Sequence, residues 1–314
     1  MASRSKTKAA SVLIMVWLAV ACSPDDGEPA AVETDVPADM GAAPDVATEP
    51  DIPPEPVYAC EKRAKCNREF CDRVLIPQGE FIMGTEHPPR TDSHFPSGDE
   101  RPPHLVSLDA YCIDKYEVSL ERYEDCVDAG MCSPAGLKWT DKTDKITTTV
   151  NHYPNICYPD LNVCKNRAVN GKTYFQARNY CEWLGSRLCT EAEWERAASG
   201  PGPIKHKHPW GDGPPTSARV NIPSVGSGFI DPVDSHPDGA SPEGVFNMAS
   251  NVYEWTRDAY DMYEPAPNGE ALHNPLTLPT SPDQKVVGRG SCFFTEPGDT
   301  VSERSLFWNT FDWG

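Results

Sequence analysis

The chain has 314 residues, enough for one large domain or two small ones, and its 32 prolines and 22 glycines predict a loop-rich fold with modest regular structure. A formal net charge of −19 argues against nucleic acid as a partner, because neutralising phosphates takes clustered Lys and Arg. Ten of the acidic residues fall between Asp25 and Glu55 with no basic residue among them, so part of the charge belongs to a tail.

Residues 1–22 read as a targeting segment. Arg4, Lys6 and Lys8 supply a basic start, and the ten residues from Val12 to Ala21 form an apolar run that ends at Cys22. That run is too short to span a bilayer as a helix, which needs about 20 residues. Leu18-Ala19-Val20-Ala21-Cys22 resembles a bacterial lipobox, whose cysteine thiol is lipidated and becomes the mature N-terminus. The alternative is a plain signal peptide cut after Ala21, which would leave an unpaired cysteine at the new terminus. The lipoprotein reading places the chain in a bacterial cell envelope, lipid-anchored through Cys22 and facing the periplasm or the exterior. Residues 23–57 are rich in Pro, Ala, Asp and Glu and nearly free of aromatic residues. They cannot bury enough apolar surface to offset ordering entropy, and self-repulsion of their charges predicts an extended acidic spacer. Residues 58–314 are then the folded domain.

Eleven cysteines follow Cys22, and in an exported chain they read as disulfide-bonded. Cys60, Cys66 and Cys71 lack the C-x2-C clip of a zinc site. Cys126 with Cys132, and Cys157 with Cys164, are candidate local pairs around loops, while the full connectivity stays open. Thr173 with Gln176, and Thr190 with Glu193, are two capping boxes. They predict two short amphipathic helices flanking the link Gly185-Ser186-Arg187, the second carrying Glu191, Trp194 and Glu195. His206-Lys207-His208, beside Pro209, reads as a solvated loop. No Ser-His-Asp order, phosphate-cradling glycine loop or nucleotide fingerprint is present.

Six segments occur in a fixed order: VLIPQGEFIMGTE (74–86), ERPPHLVSLDAYCIDKYEVSLERYEDCV (100–127), RLCTEAEWERAASGP (187–201), HPWGD (208–212), FNMASNVYEWTRD (246–258) and GRGSCF (288–293). Together they resemble the formylglycine-generating enzyme family, also called the sulfatase-modifying-factor domain, over nearly the whole chain after about residue 73. The resemblance implies a mixed α/β fold related to the C-type lectin architecture, with short antiparallel strands, long loops, disulfides and bound calcium. It also implies that the cysteine matching Cys181 bonds to a cysteine near the domain's end. No such cysteine follows here before Gly314, so Cys181 or another thiol is expected to stay unpaired.

Members of this family oxidise a substrate cysteine to an aldehyde using copper(I) held by two cysteine thiolates, the soft ligands that copper(I) selects. Aligned on Arg289-Gly290-Ser291-Cys292, those ligand positions are Thr295 and Thr300, and a hydroxyl cannot replace a thiolate. Copper is therefore not expected. Cys292 is the weak candidate for residual chemistry, with a structural disulfide as its alternative. A second disulfide of some members would need cysteines at Ala198 and Ser305. A structural calcium is implied at Asn247, Ser250, Val252 and Glu254, through side-chain oxygens of Asn and Glu and backbone carbonyls of the other two, a set that suits a hard cation. A second family site maps onto Asn221, Ile222, Ser227 and Phe229, with Ser227 where the family has aspartate and Asp231 as a possible substitute. Trp194, Trp210 and Trp255 are read as core packing. The expected function is a non-catalytic, tethered binding or scaffold module for an exported protein or a glycan. The rival is a divergent oxidase acting on a cysteine-containing protein or a small molecule.

Overall fold

The computed structural model describes residues 17–19, 21–23, 60, 63–86, 99–133, 165–222, 224–227, 230–281, 284–290 and 300–308. Period-two burial builds its sheets. In β5 (His104–Leu108), His104, Val106 and Leu108 point inward, as alternation along a strand requires. β5 pairs antiparallel with β4 (Gly79–Met83) and parallel with β9 (Leu272–His273). A second sheet has the order β3 (Arg73–Ile76), β6 (Tyr111–Asp114), β2 (Ala21–Ser23), β7 (Arg187–Leu188). The third runs β1 (Trp17–Ala19), β8 (Tyr253–Ala259), β10 (Lys285–Gly290), β11 (Arg304–Trp308). The segment expected to carry lipid at Cys22 thus supplies backbone to two of the sheets.

Three helices pack on these sheets. Ser119 caps α1 (Leu120–Asp128) by accepting from the Arg122 N–H. Both predicted capping boxes form: Thr173 and Gln176 open α2 (Tyr174–Trp183), and Thr190 and Glu193 open α3 (Glu191–Ser199). The amphipathic expectation fails for α3, whose nine residues are all buried. Its carboxylates face arginines rather than water: Glu191 meets Arg304 and Arg289, and Glu195 meets Arg289 and Lys205. Charge pattern alone cannot distinguish a solvated face from a paired buried one.

Two large apolar clusters fill most of the described interior. One joins Tyr123, Tyr180, Trp255 and Phe307, and the other Phe81, Val106, Trp194 and Met248. Trp194 and Trp255 are 1% and 0% exposed, which fits core packing, and Trp210 is half-buried. Asp114 on β6 takes Arg63 on one oxygen and Arg122 on the other. Burial works against its ionised form, yet the two guanidinium groups hold its carboxyl below the usual range.

Disulfides join Cys60–Cys112, Cys66–Cys71 and Cys126–Cys132. The first three cysteines are thus disulfide-bonded, as expected of spacings that lack a zinc clip, and the expected local pair at Cys126 is present. Cys189 is also disulfide-bonded, to a partner outside the described residues. Cys157, Cys164 and Cys292 lie outside them as well. Cys181 is free and fully buried, and burial pushes its thiol well above the usual value. An unreactive native thiol follows. Under native conditions Cys181→Ala is expected to leave the thiol titre unchanged. In denaturant without reductant it is expected to lower the titre by one. Equal titres in denaturant would show that Cys181 is disulfide-bonded.

Candidate metal centre

The segment from Phe246 to Trp255 turns twice before entering β8. Asn247 and Asn251 sit at φ 57° and 71°, in the left-handed region that asparagine tolerates. The Ser250 N–H donates to the Asn247 carbonyl at 3.1 Å and the Val252 N–H to the Ser250 carbonyl at 2.9 Å. These turns bring Asn247, Ser250, Val252 and Glu254 into one buried region, each 5% exposed or less.

Glu254 is 1% exposed, and its carboxylate accepts from the Trp194 indole N–H. No cation pairs with it among the described residues, and burial pushes its carboxyl up to about 8. Glu117 is buried beside this segment; burial first, then the Glu254 charge, raises it well above the usual range. Its oxygens accept from the Asn247 amide at 2.8 Å and the Asn251 amide at 2.9 Å. With its amide turned to Glu117 and to the Val233 carbonyl at 3.1 Å, Asn247 presents its Oδ1 as a buried acceptor with no donor. A buried oxygen left in that state costs about 1–3 kcal/mol unless something satisfies it. An orphaned buried amide oxygen on Asn247 and an uncompensated carboxylate on Glu254, with the Ser250 and Val252 carbonyls between them in sequence, make a hard-oxygen set whose chemistry fits calcium. Among the described residues no three His, Cys, Asp or Glu side chains form a metal-binding group; the oxygens here come mostly from amides and carbonyls.

The second implied set is wired to the first. The Asn221 N–H donates to Ser250 Oγ at 3.0 Å, and its side-chain amide donates to Asn251 Oδ1 at 3.1 Å. Its described oxygens already have donors. Asn221 Oδ1 accepts the Ser227 N–H at 3.2 Å, and the Ile222 carbonyl accepts from Val225 and Gly226. Gly226 has to be glycine: a Cβ there would lie 2.2 Å from Asn221 Oδ1. Ser227 donates its hydroxyl to Asp231 at 2.7 Å, and the other Asp231 oxygen meets His236 Nε2 at 3.0 Å. Asp231 thus brings a carboxylate next to Ser227, held by protein partners. Phe229 lies outside the described residues.

Of the copper-ligand positions, Thr300 is half-buried and its carbonyl accepts from Glu303 at 3.3 Å, while Thr295 and Cys292 lie outside the described residues. The solvated reading of the histidine pair holds for one member. His206 is exposed and bonds Asp212, but His208 is buried with its ring stacked flat on Trp210 at 4.6 Å. Glu117 has no place among the residues expected at this site. Its signal in the sequence is a lone carboxylate just before the apolar start of a capped helix.

Comparison with known proteins follows the same motifs. The family model described as sulfatase-modifying factor enzyme 1-like domain matches residues 59–308. Hercynine oxygenase of Mycolicibacterium thermoresistibile is 31% identical over 202 residues, covering 58% of this chain and 43% of that protein. Formylglycine-generating enzyme of Bos taurus is 29% identical over 263 residues, covering 68% of this chain and 64% of that one. PvdO from Pseudomonas aeruginosa has the same fold, with a TM-score of 0.53 at 22% identity over 76% of this chain and 89% of that chain. The chain therefore spans less than half the length of the hercynine oxygenase it matches.

The raised carboxyl of Glu254 has a pH signature. The metal-free folded chain keeps Glu254 protonated up to about 8, against an ordinary value of 4.5. Between those values the folded state binds the extra proton, so stability falls as pH rises through that window and levels off above it. Glu254→Gln is expected to remove on the order of 4 kcal/mol of that fall. The check is urea unfolding in chelator at pH 5 and pH 8; equal losses in both proteins would show that Glu254 does not titrate as its burial implies.

Proposed function

Because this chain belongs to the sulfatase-modifying factor enzyme 1-like family, we propose that it keeps that family's fold as a calcium-stabilised binding or scaffold module for an exported protein or glycan. The observation that carries this reading is the pair Thr295 and Thr300 at the positions where the family's copper thiolates are expected. Copper(I) selects soft sulfur ligands, and two hydroxyls offer it none. The thiol that the described residues do contain, on Cys181, is enclosed in the core and held in its protonated form.

Calcium is assigned to the first oxygen set. Asn247 Oδ1, the Glu254 carboxylate and the Ser250 and Val252 carbonyls would hold it, and the ion would supply the positive charge that Glu254 lacks. Glu117 acts from behind, orienting the Asn247 and Asn251 amides. The second set, at Asn221, Ile222 and Phe229, contributes less to this reading because its side-chain oxygen, Asn221 Oδ1, already accepts the Ser227 N–H, whereas Asn247 Oδ1 has no donor.

The names of the relatives support the rival, a divergent oxidase working through Cys292 or another metal arrangement. Metal content separates the two. The purified chain, dialysed separately against calcium and copper(I), is expected to retain about one equivalent of calcium and no copper. A cysteine peptide with oxygen and copper is expected to yield no aldehyde. Stoichiometric copper, or aldehyde formation lost in Cys292→Ser, would replace this reading with the oxidase.

Tethering is part of the same proposal. Lipidation at Cys22 would free residues 23–57 to act as an acidic stalk, and it requires Cys22 to leave its place between β6 and β7 and β1 to be lost from the edge of β8. The intact mass of the chain extracted from a bacterial envelope is expected to show loss of residues 1–21 and gain of lipid. A full-length mass without lipid would leave the module untethered.

A further inference from the structure

A second polar feature lies away from the Asn247 region. A cleft of about 180 Å³ opens where β8 gives way to the 260–277 loops. Its apolar lining includes buried Met83, half-buried Leu272, and Met262 and Leu276, the last two 53% and 37% exposed. Its acidic lining includes Asp258, which is buried, and Asp261 and Glu264, which are exposed.

The charges in this cleft do not cancel. Glu191 and Arg304 also line it, but they neutralise each other in a two-pronged pair at 2.6 and 2.9 Å, with the Arg304 guanidinium lying over the Tyr263 ring at 4.1 Å. Asp258 is 7% exposed and, among the described residues, accepts from backbone N–H groups alone, those of Glu191 at 2.7 Å and Thr277 at 3.4 Å. No cation pairs with Asp258 among the described residues. Burial, and then the Glu191 charge, push its carboxyl up to about 8, so the site favours an arriving positive charge over an empty ionised state. Burying a carboxylate with no partner is costly, and an ammonium group offsets that cost while its alkyl stem covers the exposed methionine and leucine.

We propose that this cleft binds a primary alkylammonium group, its nitrogen against Asp258 with Asp261 and Glu264 at the mouth, and its methylene stem against Leu272 and Leu276. The chemistry is shared by a free alkyl amine and by a lysine side chain presented on another protein. It does not depend on calcium or on the absence of copper chemistry.

Calorimetric titration of the calcium-loaded chain tests it, run at about pH 9, where Asp258 is ionised and an alkylammonium keeps its proton. The probes are n-pentylammonium, its neutral analogue n-pentanol, and a blocked Gly-Lys-Gly peptide. Saturable binding of pentylammonium is expected, at least tenfold tighter than pentanol. Asp258→Asn is expected to weaken it tenfold or more. Asp258 also receives the first N–H of α3, so that variant can fail to fold. The exposed pair Asp261→Asn/Glu264→Gln then serves instead, with a loss of several-fold expected. Peptide binding as tight as pentylammonium would identify a protein lysine as the source of the group, and binding of the free amine alone would identify a small molecule. No saturable binding, equal binding of pentanol, or full affinity in the double variant would overturn the proposal.

Discussion

The buried carboxylates of α3 hold the domain together. Glu191 and Glu195 lie one helical turn apart, and each is answered from a different part of the chain. Arg289 on β10 reaches both, at 3.1 and 2.5 Å, and also donates to the Val301 carbonyl at 2.7 Å. Arg304 on β11 closes on Glu191, and Lys205 binds Glu195 and the Gly84 carbonyl together. Gly84 in turn donates its N–H to Glu195 at 2.7 Å, and a Cβ there would lie 2.6 Å from the Glu100 carbonyl. Buried ions cost several kcal/mol each unless every one is paired, and removing one partner typically costs about 3–5 kcal/mol. The ladder therefore sets the end of β4, the whole of α3 and the last two strands relative to one another, or none of them.

Trp194 depends on that arrangement. It sits between the two carboxylates in sequence, carries the Arg289 guanidinium over its ring at 5.1 Å, and points its indole N–H at Glu254. Glu195 and Glu254 then make a natural experiment in burial. Both are fully enclosed, yet Lys205 and Arg289 hold Glu195 at about 2 against the pull of burial, while Glu254, given one neutral N–H, rises to about 8. Burial is common to both, so the presence or absence of a cation decides. That contrast marks Glu254 as a place where no described residue supplies a positive charge.

Much of this was legible in the sequence wherever a local rule applied. The two Thr capping boxes name the helix starts because capping involves residues three apart. What local rules could not give was the long-range partner. Nothing near Glu191 or Glu195 announces Arg304 or Arg289, about a hundred residues away, so α3 reads as amphipathic until the strands arrive. Glu117 is hidden in the same way: its asparagine partners come 130 and 134 residues later. His208 looked solvated because its stacking on Trp210 is a matter of backbone turn, not of composition.

Under the proposed function, fold and reaction draw on separate residues, so that one could be kept without the other. The ladder, the Asn247 network and the two tryptophans need no thiol. Thr295 and Thr300, where the family resemblance implies the copper ligands, fall in sequence between β10 and β11, beyond Arg289 and before Arg304. Substitution there leaves the arginines free to hold both strands to α3. Ala198 and Ser305, where some relatives are expected to carry a disulfide, tell the same story: both are buried, and Ser305 Oγ has no hydrogen-bond partner. A fold that depended on that crosslink would not tolerate an unsatisfied hydroxyl in its place. One fixed by four paired charges on the same helix and strands, with Lys205 beside them, can.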